Sequence, residues 1–171
     1  MEQILADIFP QTQISYPVIL ARFIGAILFG AVIGYERERK ERPAGLKTHI
    51  LVSLAAAVFS IISIESVHMP GLREEQVRID PLRVVEAVTA GVAFLAAGTI
   101  VLTRGEVQGL TTGASLWLAG AIGLALGFGH WLIALFAVAS AFVVLSVVGY
   151  LEGNRRKRIA PPDDESRPPS S

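Results

Sequence analysis

Two ionisable residues interrupt apolar runs that otherwise hold no charge: Arg22 within Val18–Gly34 and Glu86 within Val84–Leu102. Charged groups at bilayer depth are costly and usually turn toward the interior of a helix bundle. Both fall on stripes of small residues at helical spacing, Arg22 with Gly25, Ala26 and Gly30, and Glu86 with Thr89, Ala90, Ala93 and Ala97. Both also lie about one turn in from the same end, so two arrangements satisfy them. They form an ion pair, or Arg22 snorkels to the interface alone with Glu86 at the water line. A second group gathers at the other end of the runs. Glu36, Arg37 and Glu38 leave the first run, Arg42, Pro43, Gly45, Lys47, Thr48 and His49 lead into the second, and Arg104, Thr111 and Thr112 precede the fourth. Pro43-Ala44-Gly45 favours a tight turn, and Thr48 or Thr111 can cap the helix that follows. Helix N-termini carry free N–H groups and partial positive charge, so this cluster could hold an anion or an acidic segment of a partner. The competing reading is a solvated loop over Glu36 to Arg42 whose charges set topology. Asp80 and Arg83 form a third, smaller motif, with Asp80 as N-cap and Pro81 at the first helical position.

Other chemistry lacks its residues. The chain has no Cys, which removes disulfides, thiolate metal sites and Cys catalysis. It has no phosphate loop ending in GK[ST], no HExxH and no GxSxG elbow. His49, His68 and His130 are separated by topology, one on one side and two on or near the other, so they do not make a metal site. Magnesium would need carboxylates and waters. Glu65, Glu74, Glu75 and Asp80 could supply them, but Arg73, Arg78 and Arg83 are interleaved. The expectation is a non-enzymatic protein without cofactor or resident metal.

These residues need an apolar frame. Of 171 residues, 52% are hydrophobic and 18% charged, and the charges sit in a few blocks, whereas a soluble domain would scatter them. Five runs are close to the ~17–25 residues that cross a hydrocarbon core: Val18–Gly34, Thr48–Ile64, Val84–Leu102, Leu110–Phe128 and Trp131–Leu151. None alternates as a barrel strand would. The fold expected is an all-α, polytopic membrane helix bundle of about five transmembrane helices, the last two joined tightly through Gly129 and His130. Eleven Lys and Arg residues flank one side and three the other. The positive-inside rule then puts the N-terminus outside and the C-terminus in the cytoplasm. A net charge of zero gives no field that would favour nucleic acid.

Residues 1–17 form an extracytoplasmic segment without the basic start of a signal peptide, residues 18–151 the transmembrane domain, and residues 152–171 a tail. The tail, RRKR followed by PPDDESRPPSS, has nothing apolar to bury and is expected to be disordered and cytoplasmic. Membrane helices associate by close approach of small residues. Gly25, Ala26, Gly30 and Gly34 supply such a face in the first run, His49, Ser53, Ala56, Ser60 and Ser63 in the second, the Glu86 stripe in the third, and Gly120, Gly123 and Gly127 in the fourth. The fifth run is bulkier and is expected at the edge.

The segments RPAGLKTH, DPLR and GLTTGASLW, in that order between Arg22 and Phe128, resemble the membrane domain of the MgtC/SapB family, in a short form lacking the family's C-terminal soluble domain. Lys47 stands where Arg is usual, and Val85-Glu86-Ala87 follows DPLR where the family has a neutral pair. The resemblance implies a bacterial inner-membrane protein linked to growth at low magnesium and to virulence. It implies modulation of another membrane complex, the F-type ATP synthase among its partners, rather than catalysis. The rival reading is a small Mg²⁺ transporter or channel, which needs a homo-oligomer to build a ring from the one buried acid per chain.

Overall fold

The computed structural model describes residues 10, 12–67, 80–103 and 105–148. Among them run five α-helices: α1 Tyr16–Arg39, α2 Leu46–Val67, α3 Pro81–Gly98, α4 Leu110–Gly127 and α5 Trp131–Val143. A two-stranded hairpin, β1 Val101–Thr103 and β2 Glu106–Gln108, separates α3 from α4, and a π-helical turn, Val144–Val148, prolongs α5. Three helices, α1, α2 and α4, are long and apolar enough to cross a membrane. The helix α5 is a shorter apolar one. The expected bundle is therefore present as five helices, three of them of spanning length and composition. The N-terminal segment through residue 9, the loop 68–79, Arg104 and the tail from 152 lie outside the described residues.

Helix ends follow local chemistry, with three departures from expectation. Asp80 Oδ1 accepts from the Leu82 N–H at 3.0 Å, with Pro81 opening α3 as expected. By contrast, α1 does not stop at Gly34. It runs through Glu36, Arg37 and Glu38 to Arg39, and the solvated loop expected there is a buried helical turn at Glu36 and Arg37. Glu38, rather than Thr48, closes the start of α2, its Oε2 accepting the Leu46 N–H at 2.6 Å, and Thr111 lies inside α4, whose N-cap is Gly109. The helix α3 ends at Gly98 instead of Leu102, because the chain enters the hairpin, pairing Val101 with Gln108, Leu102 with Val107 and Thr103 with Glu106. Gly109, at φ +89°, then turns the chain into α4. A Cβ there would collide with the Thr99 carbonyl, so only glycine fits.

At the centre lies α4, which touches the other four helices. Its glycine face lets α2 come into backbone contact, since a Cβ at Gly123 would overlap the Ser53 carbonyl. One apolar cluster joins Ala26, Ile33, Ala57, Ile122, Leu126 and α5 through Ala134 and Val138. A second joins Val52, Ala56, Leu116 and Ala119 to Val88 and Val92 of α3. The stripes expected to pack in α1, α2 and α4 do so. That of α3 does not: Val88, Val92 and Ala96 are buried, while Glu86, Ala90, Ala93 and Ala97 face out and Thr89 is half-buried. Turning the branched Val88 and Val92 inward fills more of the space beside α4 than Ala90 and Ala93 would.

Candidate functional site

The sequence-expected cluster sits where α1 ends and α2 and α4 begin. Arg37, buried, donates from Nη2 to Thr112 Oγ1 of α4 at 2.8 Å, tying two helices across 75 residues of sequence. His49, fully buried, lies with Nδ1 2.8 Å from the Gly45 carbonyl and Nε2 3.0 Å from Ser115 Oγ. A carbonyl only accepts, so Nδ1 carries the proton. With a neutral ring, the single Ser115 hydroxyl proton then has two acceptors to choose from, Nε2 and the Thr112 carbonyl at 2.8 Å. Glu36, 2% exposed, is ion-paired with Lys40, whose Nζ also donates to the Leu145 carbonyl in the π-helical turn at 2.7 Å. Beyond that ion pair, neither Glu36 oxygen has a hydrogen-bond partner among the described residues, and neither does Arg37 Nε or Ser53 Oγ.

Thus Glu36, Arg37, Glu38, Gly45, His49 and Thr112 converge, whereas Arg42, Pro43, Lys47, Thr48 and Thr111 are exposed around them. Arg104 lies outside the described residues. Sequence reasoning missed Ser115 and the clasp role of Lys40. Ser115 sits three residues after Thr112, hence on the same helix face, and that spacing was the available signal. Lys40 follows Glu36 by four, the spacing of a helical ion pair, but only on the premise that the helix continues past Gly34. The arrangement consumes its own charges: Glu38 occupies one α2 N–H, Thr112 takes Arg37, and Lys40 bridges α1 to the end of α5. Such a network fixes the relative positions of four helix ends. Among the described residues no group of three or more His, Asp or Glu side chains is placed to hold a metal.

At the opposite end Arg22 donates from Nη1 to the Gly127 carbonyl at 2.7 Å. This corrects the inward Arg22–Glu86 pair, because Glu86 is exposed on α3 and Arg22 instead satisfies the C-terminal carbonyl end of α4, where a cation is favoured. Asp80 caps α3 as described, and Arg83 is exposed one turn later.

On α3 small residues share the outward side with bulky apolar ones. The outward positions of the other helices carry Leu20, Leu28 and Val32 on α1, Phe59 and Ile62 on α2, and Leu132, Ile133 and Phe136 on α5. On α3 the outward side carries Leu82, Phe94 and Leu95 as well, and beside them runs a line of Arg83, Glu86, Ala90, Ala93 and Ala97, at alternating spacings of three and four. That spacing is the seam of a left-handed helix pair.

The chain matches the MgtC family over residues 23–154. It is 35% identical over 129 residues to the putative magnesium transporter YhiD of Escherichia coli K12, covering 75% of this chain and 59% of that protein. It is 38% identical over 143 residues to protein SapB of Bacillus subtilis, covering 82% and 60%, and 38% identical over 124 residues to protein MgtC of Brucella abortus, covering 70% and 46%. The chain therefore spans about half to three-fifths of the length of these relatives. No solved structure matches it.

Proposed function

Because the chain belongs to the MgtC family, we propose that it is a multi-pass protein of the bacterial cytoplasmic membrane that modulates another membrane complex by helix contact, in the service of Mg²⁺ homeostasis. The observation that carries this reading is the line of Glu86, Ala90, Ala93 and Ala97 on the outward side of α3, flanked by the exposed Phe94. Lipid offers no driving force to bare a line of alanines, but small residues let a second helix approach closely. Glu86 on the same line costs free energy against hydrocarbon and loses that cost against a partner's donor. The positive-inside bias supports an external N-terminus, with the Arg37–Thr112 and Glu36–Lys40 end in the cytoplasm. On this reading the polar cluster is the brace that holds the ends of α1, α2, α4 and α5 in register, and α3 is the surface that binds. The F-type ATP synthase, suggested by the family resemblance, is the first partner to test.

The magnesium-related name of the YhiD relative favours a second reading, an oligomeric cation carrier with Glu86 lining the path. Reconstitution into proteoliposomes as the sole protein separates the two. Modulation predicts Mg²⁺ entry no faster than in empty vesicles. Saturable entry that is abolished by Glu86→Gln would replace the modulator with a carrier.

A further inference from the structure

The opposite flank of α3 carries a different feature. Between α2 and α3 runs an apolar trough in two sections that share Phe59, Ala87 and Val88. The larger section, of about 490 Å³, reaches from Lys47 and Thr48 to Phe59. The smaller, of about 360 Å³, continues to Ser63 and Arg83. Its floor is low because Ala55, Ala87 and Gly91 bring little side chain to the gap, and a Cβ at Gly91 would meet nothing within 4 Å.

We propose that this trough binds one anionic phospholipid, its phosphate at Lys47 and Thr48 and one acyl chain lying between α2 and α3. Shape narrows the choice of occupant. From Lys47 to Ser63 the trough follows α2 for ~24 Å, long and narrow like an extended acyl chain. Charge marks the end for a headgroup: the wider section opens on the exposed ammonium of Lys47 and the exposed hydroxyl of Thr48. The lining between these ends is apolar, which excludes a free phosphate as the occupant of the whole trough. Basic pockets between membrane helices are a recurring lipid headgroup site.

The full chain, purified in mild detergent and offered equal amounts of phosphatidylglycerol and phosphatidylcholine, should retain one phosphatidylglycerol in native mass spectra. Lys47→Gln, a change at an exposed residue, should cut the preference for phosphatidylglycerol about fivefold, the worth of one basic group against an anionic lipid. Gly91→Phe should fill the open floor and abolish retention of both lipids. Ala87→Leu repeats the block at a second position should the Phe variant fold poorly. Unchanged preference in Lys47→Gln, or wild-type retention in a folded blocking variant, overturns the proposal. So does a blocking variant that reduces self-association instead, because the trough would then seat a second copy.

Discussion

Arg37 and Arg22 are both guanidinium groups that donate to a neutral oxygen, and each contact makes its own prediction. Arg37 is 4% exposed and donates to Thr112 Oγ1. Thr112→Val keeps the shape and removes that acceptor, so thermal unfolding in detergent should show a loss of about 1–3 kcal/mol. Thr112→Ser, which retains the hydroxyl, should recover most of it. Arg22 bonds the Gly127 carbonyl and not Glu86. Arg22→Met should therefore destabilise α4 by about 1.5–3 kcal/mol, the worth of a hydrogen bond from a charged donor. Glu86→Leu should have little effect on the isolated chain, and a double-mutant cycle should show coupling below ~0.5 kcal/mol. A larger coupling would restore the ion pair. The residue types of both clusters were legible in the sequence, because charge is rare here and each occurrence stands out. Their partners were not, since a carbonyl or hydroxyl acceptor leaves no charge signature to pair with.

At the scale of elements, the two kinds of glycine in this chain predict different outcomes for one substitution. Gly123 faces α2 so closely that a methyl group would displace the Ser53 carbonyl. Gly123→Ala should cost about 1–3 kcal/mol, as overpacking does, and lower the unfolding temperature. Gly91 faces open space, so Gly91→Ala should be neutral or stabilising by up to ~1 kcal/mol from helix propensity alone. If both changes were equally harmful, the packing of α2 against α4 would be misplaced. Several elements could be read in advance: the Asp80-Pro81 start of α3, the tight α4–α5 link through Gly129, and the glycine face of α4. The inward face of α3 could not. In water an alanine stripe beside a valine stripe leaves the choice to hydrophobicity, but against lipid both are apolar and only packing volume decides. The hairpin after Gly98 was hidden for a related reason. Val101 and Leu102 extend an apolar run, and the Gly105 turn signal stands beyond its end. The continuation of α1 through Glu36–Arg39 was obscured by its charges, which suggest solvent until Thr112 and Lys40 are seen to satisfy them.

Across the whole molecule, different surfaces carry different kinds of contact. Polar contacts at the Arg37–His49 end hold the helix ends and α4 anchors the bundle; on the proposed reading the bulky apolar residues of α1, α2 and α5, with Phe94 of α3, meet lipid and the alanine line of α3 meets a protein partner. The family was legible from RPAGLKTH, DPLR and GLTTGASLW, whereas the docking face required the rotation of α3, which no motif encodes. Site-specific photo-crosslinking in native membranes tests that central claim most directly. A photoreactive residue should be placed in turn at Ala90, Ala93 and Ala97, at buried Val88 and Val92, and at lipid-facing Leu132 and Phe136. Docking predicts intermolecular adducts at Ala90, Ala93 and Ala97, and at most background yield at the other four. Equal yields on α3 and α5, or adducts confined to α5, would contradict it.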